Sequence, residues 1–564
     1  MYIMGAVACT LPTLGLVCRL LPQIAAGSYF ATSGNRWEIE VLPHFSSWLQ
    51  VTDERAVKWF FEGMPQDASI PWGAWMKPLA AWSPLLLASI CAMTAMMVLI
   101  RKQWVCHERL NFPLMQLPAA LVGRPDAPGD RLLRSWPALL GIALPLVMYS
   151  LRGIHYYFPE FPEGVSIWRY YFLWDDQFRL RLSLSYAVVG FGYLLSTKLG
   201  FSIWFLGLLT SLEHAVMLEF GIPGTQRVEG TALGSSHLVD QGFGAMSVLV
   251  AYTLWIARRH LQETWQIARD RVQADTDEIL SYRHAYAVLG VSVALIMGWL
   301  YLAGMSWWVV PFVVATTFGL LLGITRIVAE GGLAVAKPPI MAADVAIGAL
   351  GAQTLGASNL AGLGLANTWS GEMRITPMTA VIHGLRLAED YIKKQRKRLF
   401  LAIIGAAGVS TACAIVTVLN IGYERGSMNL SFWFFGASAA TAPYAFASYH
   451  LAEVAPWSWE FASAAGLGAV IQLLLTIAHK HFFWWPLHPV AFPVSAMWTT
   501  HHLMPSIFVA WLIKVVVLRL GGIQLYSKTR PFFLGLIVGQ YCTGGMWIGV
   551  DALTGSTGNY LFFW

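Results

Sequence analysis

The chain has 564 residues, of which 56% are hydrophobic and only 12% are charged. Soluble domains carry about 25% charged residues, so the composition excludes an ordinary soluble protein and predicts a membrane protein. The formal net charge of +6 does not indicate nucleic-acid binding, because the basic residues cluster in short loops between apolar segments, as membrane topology requires.

Taken in chain order, the apolar segments that are long enough, or nearly so, to cross a bilayer core lie at 1–20, 78–100, 134–152, 182–197, 201–219, 241–257, 284–304, 306–324, 399–420, 461–479, 484–502, 505–520 and 531–553. They predict an all-α fold, a polytopic transmembrane bundle of about 13–15 helices with a broken or re-entrant region. We expect one integral membrane domain over 1–564, with pseudo-repeat halves at 1–280 and 284–564. Because Met1–Val17 lacks the basic start of a signal peptide, a first membrane helix is expected there.

Four basic segments test this topology, since positive loops face the cytoplasm. They are Arg101-Lys102, Arg258–Arg283, Lys393–Arg398 and Arg519–Arg530. Thirteen crossings with the N-terminus inside place all of them in the cytoplasm, provided that 325–398 returns to the same side. Residues 331–366 should then form a re-entrant pair or two complete crossings. The aromatic, Gly/Ala-rich part of the external loop 422–460 could also dip into the membrane.

The run Gly319–Arg374 contains features that a lipid-facing helix cannot carry. Arg326 and Glu330 lie one turn apart in apolar sequence, and the pairs Gly331-Gly332 and Pro338-Pro339 interrupt the helical pattern on either side of Lys337. Ionisable groups are costly at membrane depth, and non-helical backbone is tolerated there only inside protein or beside a wet cavity. Broken helices form the substrate sites of several transporters. We therefore predict that Arg326, Glu330, Gly331, Gly332 and Lys337 line a substrate pathway; the alternative is an ion pair that only fixes helix packing.

The next segment, Val345–Asn367, combines a stripe of small residues with neutral polar side chains. Asn359 and Asn367 could replace part of a solute's hydration shell without the cost of a buried charge, so both are predicted to belong to the pathway. The alternative is a close helix crossing with interhelical hydrogen bonds. We expect a helix broken near Gly331–Pro339 whose free ends face a central cavity near mid-membrane.

Glu213 and His214 are the other candidate ionisable groups within an apolar helix. Either could titrate during transport and so couple it to protons, although a satisfied core position is the alternative. The two residues are adjacent and diverge on a helix, so they are not expected to share a metal. The six cysteines are scattered and read as buried apolar residues. Motifs of nucleotide binding, hydrolysis and haem attachment are absent; the sequence predicts no enzyme, cofactor or metal.

In the last helix, Gly535, Gly539, Gly545 and Gly549 recur at G-x-x-x-G spacings. Such spacings let a neighbouring helix approach closely. We therefore predict a close helix contact along these four glycines.

Three blocks carry a resemblance: HERLNFPLMQLPAALVGRP (His107–Pro125), TRIVAEGG (Thr325–Gly332) and Leu518–Gly555. Together they resemble an uncharacterised group of bacterial polytopic membrane proteins that is distantly similar to the oligopeptide transporter (OPT) superfamily, which includes metal–chelate carriers. The resemblance implies a secondary transporter in the bacterial inner membrane. Members of the group carry further helices before the point where this chain begins, so we expect Met1 to be a late start. The superfamily's signature tripeptides are absent, and peptide specificity is not carried over.

Two functions follow. One is an OPT-like transporter of a small polar or zwitterionic solute, peptide-like or metal-chelate-like. The alternative is a non-transporting membrane scaffold or accessory subunit of a larger complex. The expected partners are the lipid bilayer and a small-molecule solute; a homo-oligomer or larger complex stays open, and no nucleic acid is expected. The surroundings of Arg326 and Glu330 distinguish the two functions, because a wet cavity around them favours a transporter and full burial favours a scaffold.

Overall fold

The structure, a computed structural model, describes residues 2–10, 16–122, 132–164, 168–173, 178–222, 236–270, 278–333, 335–371, 376–391, 396–556, 559 and 561. In these residues the chain is almost entirely helical. The exception is an antiparallel hairpin of β1 (Trp168–Leu173) and β2 (Phe178–Ser183). The predicted all-α fold class is confirmed.

The first half of the chain contains α1 (Tyr2–Ala8), α2 (Leu16–Tyr29), α3 (Trp37–Glu40), α4 (Glu54–Glu62), α5 (Trp72–Lys102), α6 (Gln116–Val122), α7 (Trp136–Tyr157), α8 (Tyr186–Leu194), α9 (Thr197–Glu219) and α10 (Ser236–Asp270). The second half contains α11 (Tyr282–Leu302), α12 (Val309–Gly331), α13 (Ala342–Leu350), α14 (Ala352–Ser370), α15 (Pro377–Tyr391), α16 (Arg396–Arg425), α17 (Phe432–Phe435), α18 (Ala437–Ala440), α19 (Ala442–Ala452), α20 (Trp459–His481) and α21 (Trp498–Thr554).

In the described part of the chain, eight helices are long and apolar enough to cross a membrane: α5, α7, α9, α11, α12, α16, α20 and α21. Several of them turn large apolar side chains outward. On α16, for example, Leu401 is 72% exposed and Val409 is 66% exposed. Large apolar patches of this kind are rare on soluble monomers and suit a surface that faces lipid.

The long helix α21 is a helical hairpin. Its backbone leaves the helical region at Gly522 (φ 58°, ψ −154°), a conformation that glycine adopts without a steric penalty. Ala510 and Phe533, on either side of this break, pack in one buried cluster with Tyr193. The Lys514 Nζ atom lies 4.7 Å from the centroid of the Tyr526 ring. The predicted crossings at 505–520 and 531–553 are therefore two arms that lie side by side.

Three predicted crossings differ from the observed helices. The segment 484–502 is not one helix, because α20 ends at His481, α21 begins at Trp498, and a 3-10 helix (Pro489–Val494) lies between them. Prolines in this segment lack the N–H group that a helix needs. The segment 182–197 forms only the nine-residue α8. The N-terminal segment 1–20 is divided between α1 and α2.

One end of the bundle, formed by residues 99–108, 278–286, 326–332 and 386–389, is called the basic end here. Arg101, 4% exposed, donates from Nε and Nη2 to the Glu278 carboxylate at 2.9 and 2.8 Å. Its Nη1 lies 3.7 Å from the Glu389 Oε1 atom. The segment Arg258–Arg283 and the end of α15, which precedes the basic run at 393–398, thus meet at one face. This agrees with the predicted topology; residues 393–395 themselves lie outside the described residues.

The last arm of α21 packs against α7, and glycines make the contact close. A Cβ at Gly535 would clash with the Ala138 carbonyl, and one at Gly539 would lie 2.6 Å from both the Ile142 carbonyl oxygen and the Pro145 Cγ. The prediction is correct for these two glycines. It is wrong for Gly545 and Gly549, which are exposed and meet nothing within 4 Å, because they lie on the outer side of this arm.

These contacts predict that Gly539→Leu destabilises the protein. The new side chain would have to enter the backbone of α7, and overpacking of this kind costs roughly 1–3 kcal/mol. Gly549→Leu is the matched control, because its Cβ would meet open space. Unfolding of the two purified variants in the same detergent measures the difference; equal stabilities would contradict the packing described.

Candidate functional site

Arg326 is the centre of a buried charge cluster at the basic end. Its side chain is 8% exposed and lies between two carboxylates. Arg326 Nε donates to Glu330 Oε2 at 2.7 Å, and Nη1 forms an ion pair with Glu108 Oε2 at 2.5 Å. The guanidinium also lies 5.5 Å from the centroid of the Trp104 ring, within cation–π range. The predicted Arg326–Glu330 pair is present, and Glu108 is a second acid that the sequence reading missed.

Glu108 reaches this cluster because α5 ends in an unusual way. The helix continues into a π-helical turn, Gln103–His107, and such turns are frequent at functional sites. Gln103 Nε2 donates to Glu108 Oε1 at 2.9 Å, which leaves the other carboxylate oxygen for Arg326. The next residues follow a tight path, with Arg109 at φ 53° and Phe112 at φ 43°. The turn after α5 is therefore shaped to hold a carboxylate against α12.

The same stretch covers the end of α12. Phe112 N donates to the Ala329 carbonyl at 3.1 Å, one of the carbonyls that a helix end leaves without an intrahelical partner. Gly332 follows with φ 60°, and a Cβ there would lie 2.6 Å from Pro113. Glycine is needed here for both its positive φ and its small size. Helix α12 ends where the sequence predicts a break, but this end lies at the basic end, against Phe112 and Pro113, and not near mid-bundle as expected.

Two non-helical segments enter the interior beside this cluster. One follows Gly332 and runs to Met341; the other is the link between α20 and α21. His488 of that link has Nε2 3.5 Å from Glu330 Oε1, and Val490 lies against Gly331. Glu330 is 22% exposed, more than Arg326. The cluster thus combines a buried cation with an accessible carboxylate.

The other residues predicted for the pathway lie in different places. Lys337 is half-buried in the non-helical segment after Gly332. Asn359 is a structural residue: its Nδ2 donates to Ser306 Oγ at 2.9 Å, and its Oδ1 accepts from Ser306 N at 2.7 Å. These bonds hold α14 to the turn before α12, so the prediction that Asn359 faces a pathway is not supported by its contacts.

A second interruption lies near the middle of the bundle, where α14 ends. Trp369, near the end of α14, donates from Nε1 to Ser89 Oγ at 2.8 Å, and Ser89 lies in the central part of α5. Trp369 also packs edge-on against Phe318, in the central part of α12. Helix α15 then continues to the basic end, where Glu389 meets Arg101. Helix α14 therefore ends near the middle of the bundle, whereas α15 ends at the basic end.

Polar side chains gather at this interruption. The Arg19 guanidinium of α2 lies 3.2 Å from the position of a Cβ at Gly371, and Asn367 is one turn before Gly371 on the same helix face. Gln23, one turn after Arg19, donates from Nε2 to the Ala439 carbonyl at 2.9 Å. Arg19 is 6% and Gln23 2% exposed.

Two acceptors, one on α14 and one on the neighbouring α2, have no hydrogen-bond partner among the described residues: Asn367 Oδ1 and Gln23 Oε1. Buried polar atoms without a partner are uncommon and require an explanation. Asn367 is thus retained as a site residue. Arg19 and Gln23 were missed, although a buried Arg and Gln one turn apart in apolar sequence were a signal that could have been followed.

Glu213 and His214 are adjacent on α9, so their side chains leave the helix in different directions. Glu213 accepts a hydrogen bond from Gln241 Nε2 of α10 at 2.7 Å. Ser211, one turn before His214, contacts His501 Nδ1 of α21 at 3.1 Å. No group of three or more His, Cys, Asp or Glu side chains suited to a metal occurs in the described part of the chain. Chemically, the arrangement offers hydrogen-bond acceptors at mid-bundle and a charge cluster at the basic end.

The charge cluster predicts that Arg326→Gln is strongly destabilising. Removing the cation leaves two carboxylates close together, and breaking a buried ion pair costs about 3–5 kcal/mol. Glu330→Gln should lower the free energy of unfolding by a smaller amount, because Arg326 keeps its ion pair with Glu108. Arg283→Gln, at an exposed position, is the control. Unfolding of the detergent-solubilised variants tests the order, and an Arg326 variant as stable as the control would refute the cluster's structural role.

A comparison with curated proteins found no match. A family model described as a family of unknown function, DUF6785, matches residues 1–563. Because this match covers nearly the whole chain, the protein belongs to the family of unknown function DUF6785.

Proposed function

We propose that this protein is an OPT-like secondary transporter that moves a small polar or zwitterionic solute across the bacterial inner membrane. The observation that carries the proposal is the end of α14 at the middle of the bundle, with acceptors at Asn367 and, on the neighbouring α2, Gln23 that have no partner among the described residues. Broken helices with exposed backbone ends form solute sites near the bilayer midplane in several transporter folds.

The chemistry of this place favours a solute that carries both donors and an acidic group. Gln23 Oε1 and Asn367 Oδ1 can accept hydrogen bonds from an ammonium or amide group of the solute. The Arg19 guanidinium beside Gly371 supplies positive charge for a carboxylate. A peptide-like molecule or a metal chelate with amine and carboxylate groups would meet both requirements.

The charge cluster at the basic end would act as the gate and the coupling group. Thr325 Oγ1 lies 3.3 Å from Thr379 Oγ1, so α12 contacts α15 directly beside Arg326. A movement of α15 would therefore act on the cluster. Glu330, which is partly exposed, would take up the coupling proton and release Arg326. The resemblance of the blocks around Glu108 and Arg326 to OPT-like proteins supports the same proposal.

The scaffold alternative draws on one observation, the burial of Arg326 between its two acids. A fixed ion pair needs no solute. The accessible carboxylate of Glu330 and the unpaired acceptors at mid-bundle favour transport instead, because a scaffold would have no use for them.

Uptake into proteoliposomes tests the proposal, with a panel of dipeptides and metal–chelator complexes and an imposed proton gradient. Asn367→Ala should lower uptake roughly tenfold or more, the effect of one lost hydrogen bond in a buried site. Glu330→Gln should leave solute binding intact and abolish the response to the gradient. Asn420→Ala is the matched control, because Asn420 is exposed and its Nδ2 donates to the Val416 carbonyl of its own helix, α16.

Two results together would favour the scaffold over the transporter. The wild-type vesicles would accumulate none of the tested solutes, and the protein would be isolated with a membrane partner in stoichiometric amount. Equal uptake by the Asn367 and Asn420 variants would place the solute elsewhere.

A further inference from the structure

An apolar groove lies outside the site described above, between α5, α11 and α16. It has a volume of about 800 Å³ and is lined by residues such as Ala88, Cys91, Val291, Ser292 and Gly408. Pockets that hold small ligands have volumes of about 300–1,000 Å³, so the groove is large enough for a specific occupant.

The groove lies at the depth of the hydrocarbon. Ala88, Val291 and Gly408 are each near the middle of a helix that is long and apolar enough to cross a membrane. An apolar groove at this depth is filled by hydrocarbon, since water would find almost no hydrogen-bonding partners there.

The positive side chains at one end of the groove indicate which class of lipid supplies the hydrocarbon chain. Arg283 and His284 lie one turn before the lining residues Ala287 and Val288 on α11, so they extend the same helix face toward the basic end. Both are exposed. Arg398, two residues before the lining residue Phe400 at the start of α16, is exposed as well. Positive side chains at the membrane surface attract anionic lipid headgroups.

We propose that this groove binds one acyl chain of an anionic glycerophospholipid, whose headgroup lies against Arg283 and the start of α16. The proposal does not depend on the transport function.

The lengths agree with this assignment. At 1.5 Å per residue, the distance along α11 from Arg283 to the lining residue Leu295 is about 18 Å. One leaflet of the hydrocarbon core is about 15 Å thick. An acyl chain whose headgroup lies at the level of Arg283 therefore covers most of the groove's length along α11.

A transmembrane helix from another chain fits less well. Such a helix is about 10 Å across and 30 Å long, roughly 2,400 Å³, which is more than the groove encloses. An extended acyl chain is much thinner and can enter between packed helices without separating them.

The test uses phosphatidylglycerol with a photoreactive diazirine in its acyl chain, mixed at low mole fraction into phosphatidylcholine proteoliposomes. After illumination, mass spectrometry maps the labelled residues. Labelling of the groove residues on α5, α11 and α16 should saturate with probe concentration, whereas labelling of the outer face of α16 should rise linearly as for bulk lipid.

Gly408→Phe should fill the groove and lower its labelling at least fivefold. The matched control is Gly405→Phe, on the same helix but not lining the groove. A Cβ at either glycine meets nothing within 4 Å, so both variants should fold, which thermal unfolding checks. Arg283→Gln should weaken saturable labelling by phosphatidylglycerol and leave a photoreactive phosphatidylcholine unaffected.

Three outcomes would overturn the proposal. Labelling that never saturates would mean that only bulk lipid passes the groove. Equal saturable labelling by both lipids would mean that the groove does not select an anionic headgroup. A photo-crosslink from position 408 to another polypeptide in native membranes would mean that a helix occupies the groove.

Discussion

The ion pair between Glu108 and Arg326 joins two parts of the chain that are far apart in sequence. A lone arginine within the apolar α12 would be costly, so its position requires partners. Glu330 is supplied by the same helix, but Glu108 is brought in only because α5 ends in a π-helical turn. Once that carboxylate is in place, the stretch 108–113 lies across the end of α12, where Gly332 contacts Pro113.

The same demand for internal partners explains how non-helical backbone is tolerated inside the bundle. Between α20 and α21, Ser202 Oγ accepts from His488 N, Thr210 Oγ1 donates to the Ser495 carbonyl, and Thr500 Oγ1 donates to the Val494 carbonyl. Side chains thus replace part of the hydrogen bonding that a helix would supply. Gly242 of α10 lets Pro339 and Pro493, one from each non-helical segment, approach the same point. Two interruptions that are distant in sequence are therefore stabilised together.

The cluster around Arg326 and the polar groups at the end of α14 differ in how their side chains are paired. Arg326 and its two acids make a mostly buried network in which the cation is paired with carboxylates from the turn after α5 and from α12. The place where α14 ends retains acceptors without partners among the described residues, and such atoms are rarely left in an interior without a use. In the proposed function, solute binding therefore belongs to the middle of the bundle and gating to the basic end. Two of the three sequence blocks, around Glu108 and Arg326, meet at the basic end.

The sequence by itself determined the all-α class, the break after Gly331, the Arg326–Glu330 pair and the close contact at Gly535 and Gly539. Each depends on local spacing or on the cost of charge among apolar residues, which can be read from neighbouring positions. Only the tertiary structure decided that Glu108 completes the pair, that Asn359 bonds to Ser306 and that Gly545 and Gly549 face outward. It also decided that Arg19 and Gln23 lie beside Gly371. These outcomes depend on which helix faces lie against each other, and periodicity shows that a face is apolar or polar without showing its neighbour.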